Sequence, residues 1–161
     1  LLRKAYPFAD LTTYRAEFGI GWGRSGLPAG LAATAAEHPV RTVSQVNSVE
    51  EARDALANGY GLCVCSNVGF SAERDSDGFA VPRGTWYHAM AWIACDDASA
   101  RPGILIQNSW GNWNRGPTRH GQPAGSFWID YRTASRMIAQ QGAFALSNVD
   151  GFPPVRLPDY G

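Results

Sequence analysis

Two apolar runs joined by one turn constrain this chain more than any other feature. "WYHAMAWIAC" (86–95) and "ILIQN" (104–108) flank the turn-forming "DDASARPG". In the first run both alternating sets of residues are largely apolar, which reads as a strand covered on both faces. The second reads as its antiparallel return, so a hairpin is expected over 86–95 and 103–108.

The other elements assemble around that hairpin. "HPVRTVSQV", with Val40, Val43 and Val46, reads as a short strand ending near Val46. In "NSVEEARDALANG", Ser48 as N-cap and Glu51 three residues on make a capping box, and Gly59 stands at the C′ position. Val49, Ala52, Ala55 and Leu56 would share the inner face of that helix. "GLCVCS" predicts a strand over 61–66, with Cys63 and Cys65 on one face and both buried. "SAERDSDG" reads as a polar loop, 111–125 as a Gly/Pro/Asn loop, and "SFWID" as a strand. "YRTASRMIAQQG" reads as a short helix ending at Gly142, and "AFALSN" as a closing strand. The expected class is α+β with an antiparallel sheet and one or two short helices. A chain of 161 residues fits a single domain. Residues 1–39, with the glycine-rich "FGIGWGRSGLPAG", show no periodicity and are expected to be irregular; 149–161 is expected to be an extended tail.

Composition removes several function classes. Fourteen basic and fourteen acidic residues cancel without any run of one sign, which predicts neither a nucleic-acid nor an anionic-membrane partner. No stretch approaches the roughly 20 apolar residues of a membrane span. "LLRKAYPFADL" carries Arg3, Lys4 and Asp10 and no long apolar core, so it does not read as a signal peptide. Lacking an initiator Met, the chain is expected to be a processed product or part of a longer one. Cys63, Cys65 and Cys95 are too few for a disulfide scaffold and leave the redox compartment open. A zinc site is poorly supported too, because the pair is Cys-x-Cys with no second pair to match. No metal or cofactor is expected.

Within the hairpin, His88 and Asn108 lie on opposite arms near the ends away from the turn. Antiparallel neighbours are about 5 Å apart, within reach of an amide to an imidazole. A general-base histidine needs its second nitrogen held by an acceptor, and an asparagine oxygen can do this without adding charge. Taken alone, a core histidine bonded to a neighbouring asparagine is the plainer alternative.

"YHAMAWIAC", then "IQNSWGNWN", then "GSFWI" resembles the C-terminal half of papain-like cysteine peptidases. The resemblance covers roughly residues 40–148, and its specific part is Asn108-Ser109-Trp110-Gly111 with a histidine twenty residues before. It implies a papain-like half-domain, an antiparallel sheet or open barrel. His88 then matches the general base, Asn108 the residue that orients it, and Trp110 the ring that shields their bond. Ser109 and Gly111 support the motif, while Trp86, Tyr87 and Ala89 would border the substrate groove. The long loop after Trp110 would bring Arg119 and His120 near the site, His120 as a solvated loop residue.

The nucleophile breaks the pattern. In this family the cysteine lies about 130–150 residues before the His and Asn, yet 87 residues precede His88 and the first cysteine is Cys63. Cys95 would stand more than ~20 Å along the strand from His88. The resemblance therefore implies the His/Asn part of a peptidase whose thiol comes from an upstream segment. Its partners would be a peptide substrate and a covering segment or partner chain carrying the Cys half, seated on the apolar wall around Trp86 and Trp110. The alternative is a catalytically inactive papain-fold module with a binding or structural role. A cell-wall amidase of the related Cys/His class is a third reading, though such enzymes usually lack the Asn-Ser-Trp-Gly motif.

Overall fold

A computed structural model describes residues 5–7, 9–13 and 15–149. The described residues fall into two compact units, one running to Arg41 and including Val149, the other spanning Thr42–Asn148.

The first unit holds the short strands β1 (Ala5–Tyr6) and β2 (Ala9–Asp10) and the helices α1 (Ala16–Ser25) and α2 (Ala29–Ala36). Two helices thus replace the irregular stretch that the sequence predicts for residues 1–39. Gly19, Gly21 and Gly23 sit inside α1, each costing a helix about 1 kcal/mol relative to alanine, and they hide its periodicity. Offsetting this, Phe18 and Trp22 stack one turn apart at 5.0 Å, and Gly26, at φ +82°, ends the helix with its N–H on the Trp22 carbonyl.

The second unit is α+β. The strands that fall wholly or mostly in it are β3 (Val40–Gln45), β4 (Leu62–Arg74), β5 (Ala80–Asp96), β6 (Gly103–Gln107), β7 (Ser126–Ile129) and β8 (Ala143–Val149). They form one sheet in the order β3-β8-β4-β5-β6-β7, which does not close. The pairs β8-β4, β4-β5, β5-β6 and β6-β7 are antiparallel. Helices α3 (Val49–Ala57) and α4 (Tyr131–Ile138) complete the unit.

Helix α3 forms where its end signals stand. The Glu51 N–H donates to Ser48 Oγ at 3.1 Å, while Glu51 Oε2 accepts from the Asn47 N–H at 2.7 Å. At the other end Gly59 has φ +79°, with Tyr60 N–H bonding the Ala55 carbonyl and Gly59 N–H that of Leu56. This is the Schellman pattern, and it needs the left-handed residue. Asp130 caps α4 by accepting from Thr133 N–H at 2.7 Å. Ala52 and Leu56 of α3 and Ala134, Met137 and Ile138 of α4 bury with Val64, Met90, Trp92, Ile104, Ile106 and Phe127 from the sheet. A tie between elements sits at the rim: Arg53 pairs with Asp97 at 2.7 Å, and the Tyr131 hydroxyl also bonds Asp97.

The sheet departs from expectation in two ways. The segment read as a polar loop continues β4 and β5 into a long hairpin that turns at Asp75–Gly78, where Asp75 Oδ1 accepts from Asp77 and Phe79 N–H. Its polar side chains fit an exposed hairpin tip, which periodicity alone does not separate from a loop. Further, β5 is covered on both faces only near its turn, where Ala94 packs against Phe79, Leu105 and Trp128; before that, Met90 and Trp92 are buried while Ala89, Ala91 and Ile93 are exposed. The second apolar set there is mostly alanine, small enough to stand in water at little cost. The same outer face carries Cys65, which is exposed, and Cys63, which is half-buried, so burial of both is also corrected.

Candidate functional site

The β5-β6 register pairs Ala91 with Gln107. Continuing it sets Asn108, just past β6, opposite Met90 and diagonal to His88, a separation that long polar side chains bridge. His88 Nε2 lies 2.9 Å from Asn108 Oδ1. Asn108 is 3% exposed and His88 half-buried.

A second contact fixes the chemistry of that bond. The Ser109 backbone N–H donates to the same Asn108 Oδ1 at 2.7 Å. A backbone N–H can only donate, so this atom is the amide oxygen, and His88 Nε2 must in turn carry a proton to bond it. Neutral His88 then has its lone pair on Nδ1, the nitrogen left to take a proton. Asn108 Nδ2 is buried without a partner among the described residues.

Trp110 lies over the pair, its ring 4.8 Å from the His88 imidazole and inclined by 22°. Trp86 packs on Trp110 at 4.8 Å, and Trp113 meets both edge-on at 5.4 and 5.6 Å. Trp110 nonetheless remains 45% exposed and Tyr87 91% exposed, and Ala89, on Tyr87's side of β5, is exposed too. His88, Asn108, Ser109, Trp86 and Trp110 therefore come together, whereas Tyr87 and Ala89 project to the other face of the strand. Gly111, at φ +62°, turns the chain after Trp110.

Two features escape a sequence reading. Trp113 joins the aromatic wall, held by its Nε1–H donating to the Gly125 carbonyl at 3.0 Å. Arg74 straps the loop that carries it: Nε donates to Pro117 O at 2.7 Å, Nη2 to Gly116 O at 2.7 Å, and Nη1 to Asn114 Oδ1 at 2.7 Å. Asn114 and Gln122 both donate to the Ser126 carbonyl. The contacts span about forty residues of sequence, and Arg74 lies in the segment read as a loop, so no local signal marks it.

Arg119 and His120 do not approach the pair. Both bond Asp96 Oδ2, at 2.6 and 3.0 Å, with Arg119 also on Ser99 Oγ. Asp96 is at the turn end of the hairpin, roughly 25 Å of strand from His88. Hydrogen bonding from Ser99 first, opposed by desolvation and supported by His120 and the Ala98 amide, holds the Asp96 carboxyl well below the ordinary carboxylate range.

No cysteine supplies a nucleophile to His88. Cys65 pairs with Ala89 and Cys63 with Ala91 on β5; directly paired residues share a face, and His88 is on the other one. Cys95 lies at the far end of β5, its thiol pushed up by burial and then by Asp97. All three are unbridged. Among the described residues no three His, Cys, Asp or Glu side chains gather as metal ligands, and no helix is long and apolar enough to cross a membrane.

No protein-family model, curated protein or solved structure matches the chain.

Proposed function

We propose that residues 40–148 are the His/Asn-bearing half-domain of a papain-like cysteine peptidase, working on a peptide bond with a thiol supplied by a segment upstream of Leu1. The observation that carries this reading is the Asn108 oxygen held between Ser109 N–H and His88 Nε2. It leaves Nδ1 of His88 as the base. In the complete site the cysteine gives its proton to Nδ1, and the thiolate attacks the peptide carbonyl. The imidazolium then protonates the leaving amine. Water, deprotonated by the same Nδ1, releases the acyl group and restores the thiol. Asn108 keeps the ring oriented throughout, and Trp110 limits water at the bond.

A second reading rests on a different observation: all three cysteines are away from the base-bearing end of the inner face. On that reading the fold is a catalytically inactive module with a structural or binding role. The two separate on one experiment. The natural upstream sequence is joined to residues 1–161 and treated with a thiol-directed epoxide. Labelling of an upstream cysteine, lost in His88→Ala, supports the peptidase. An upstream sequence without a labelled cysteine leaves the inactive module. Residues 1–161 alone should stay inert, since base assistance by itself is worth only about 10²–10⁴-fold.

A further inference from the structure

The face of the sheet opposite the helices carries two thiols that the His88 site does not use. Cys63 and Cys65 project to the same side of β4, their Cα atoms about 6.5–7 Å apart by strand geometry. Ala91 and Ala89 stand opposite them on β5, and Phe144 of β8 pairs with Cys63. Cys65 is exposed, Cys63 half-buried, and neither is bridged. Burial first, and then the neighbouring Cys65 thiol, raise the Cys63 thiol above its ordinary range, so it is held protonated at neutral pH.

An apolar groove of about 350 Å³ opens beside them, lined by Gly61, Cys63, Ala89, Ala91, Ile93 and Leu146 among others. No third His, Cys, Asp or Glu completes a ligand set among the described residues. A tetrahedral metal wanting four donors is therefore poorly served. A centre that takes two sulfurs and brings an apolar third substituent of its own matches both the pair and the groove.

We propose that Cys63 and Cys65 form a binding site for a monosubstituted trivalent arsenical, with both sulfurs on arsenic and its apolar substituent in the groove. An arsine oxide, R–As=O, condenses with two thiols to give R–As(S–Cys)₂. Two As–S bonds form, two S–H bonds and the As=O bond break, and the oxygen leaves as water with both thiol protons. Arsenic stays trivalent, so no oxidant or reductant is needed. Protonated thiols suffice. Closing the second As–S bond within one chain gains the effective concentration of a tethered ligand, roughly 10²–10⁴-fold over a single thiol. The site lies on the opposite face from His88 and does not depend on the peptidase reading.

The test uses the whole chain, reduced with a phosphine, and phenylarsine oxide as the probe. Intact mass should show one phenylarsenic adduct, with titratable thiols falling from the three of the sequence to one. Excess dithiol should strip the adduct and monothiol should not. Cys63→Ser and Cys65→Ser should each weaken binding by roughly 10²–10⁴-fold and make the adduct removable by monothiol, while Cys95→Ser should change nothing. Cys63→Ala covers the case in which a serine hydroxyl unsettles that half-buried position. Ala91→Glu should weaken phenylarsine oxide more than arsenite, which has no apolar substituent; equal loss would overturn the groove's part. An unchanged thiol count, monothiol-resistant binding retained in Cys63→Ala or Cys65→Ser, or loss in Cys95→Ser would overturn the site.

Discussion

The Ser109 N–H and the side chain of Asn108 meet at 2.7 Å, and this contact between adjacent residues decides which nitrogen of His88 holds the proton. In histidine-resolved ¹⁵N spectra, neutral His88 should appear as the Nε2–H tautomer. Asn108→Ala removes the acceptor and should shift the ring toward a mixture, at a cost near 1 kcal/mol for one lost hydrogen bond. An Nδ1–H tautomer in the parent chain would contradict the assignment and, with it, the role of Nδ1 as base.

Arg74 should matter as much as a core residue although it makes no contact with His88. Its guanidinium feeds three loop acceptors and also reaches Ser126 O at 3.2 Å. Arg74→Ala leaves those acceptors to water and should cost about 2–4 kcal/mol in urea unfolding. Lysine cannot reproduce a planar fork, so Arg74→Lys should recover little of it. A loss below ~1 kcal/mol would mean the loop holds itself.

Asp96 gives the fold an acid-side dependence whose sign is fixed. Its carboxyl is depressed in the folded chain by Ser99 first, against desolvation, with His120 and the Ala98 amide adding to it. A group depressed on folding stabilises fully above the unfolded carboxylate range near pH 4. That contribution is lost as pH falls toward the lower folded value. Asp97, lowered chiefly by Arg53 and then Tyr131, slopes the same way. Thermal melts from pH 7 to pH 2 should therefore fall on the acid side, and Asp96→Asn should flatten part of that fall. An Asp96→Asn slope as steep as the parent's would place the dependence elsewhere.

How much of this could be read from the residues follows from the range of the interactions. Helix α3 was legible because Ser48, Glu51 and Gly59 act within one turn of its ends. The His88–Asn108 meeting was legible because a hairpin turns twenty residues of sequence into one diagonal step. Helix α1 was not, since its three glycines erase the pattern and the single i, i+4 pair of Phe18 and Trp22 is too short a signal to outweigh them. Nor was the open outer face of β5, because alternation cannot tell whether another layer covers Ala89 and Ala91. The placement of Arg119 and His120 failed for a related reason. A fifteen-residue loop has reach enough for either end of a hairpin, and the ion pair to Asp96 chose the far one.

The return of that loop supplies the last prediction. Gly125 has φ +78°, and a Cβ there would lie 2.0 Å from the Gly111 carbonyl oxygen. Both contacting groups are backbone, so neither can swing aside as a side chain would, and alanine adds left-handed strain as well. Gly125 also offers the carbonyl that holds Trp113, and Gly111 follows Trp110 directly. Gly125→Ala should therefore do two things at once. It should destabilise the chain by about 2 kcal/mol or more, and it should shift tryptophan fluorescence as Trp110 and Trp113 separate. Gly111→Ala is the control: it too has positive φ, but nothing lies within 4 Å of its Cβ. It should carry the strain alone, about 1–2 kcal/mol, with little change in fluorescence. Equal effects from the two variants would mean the close approach of the loop ends does not set the aromatic wall.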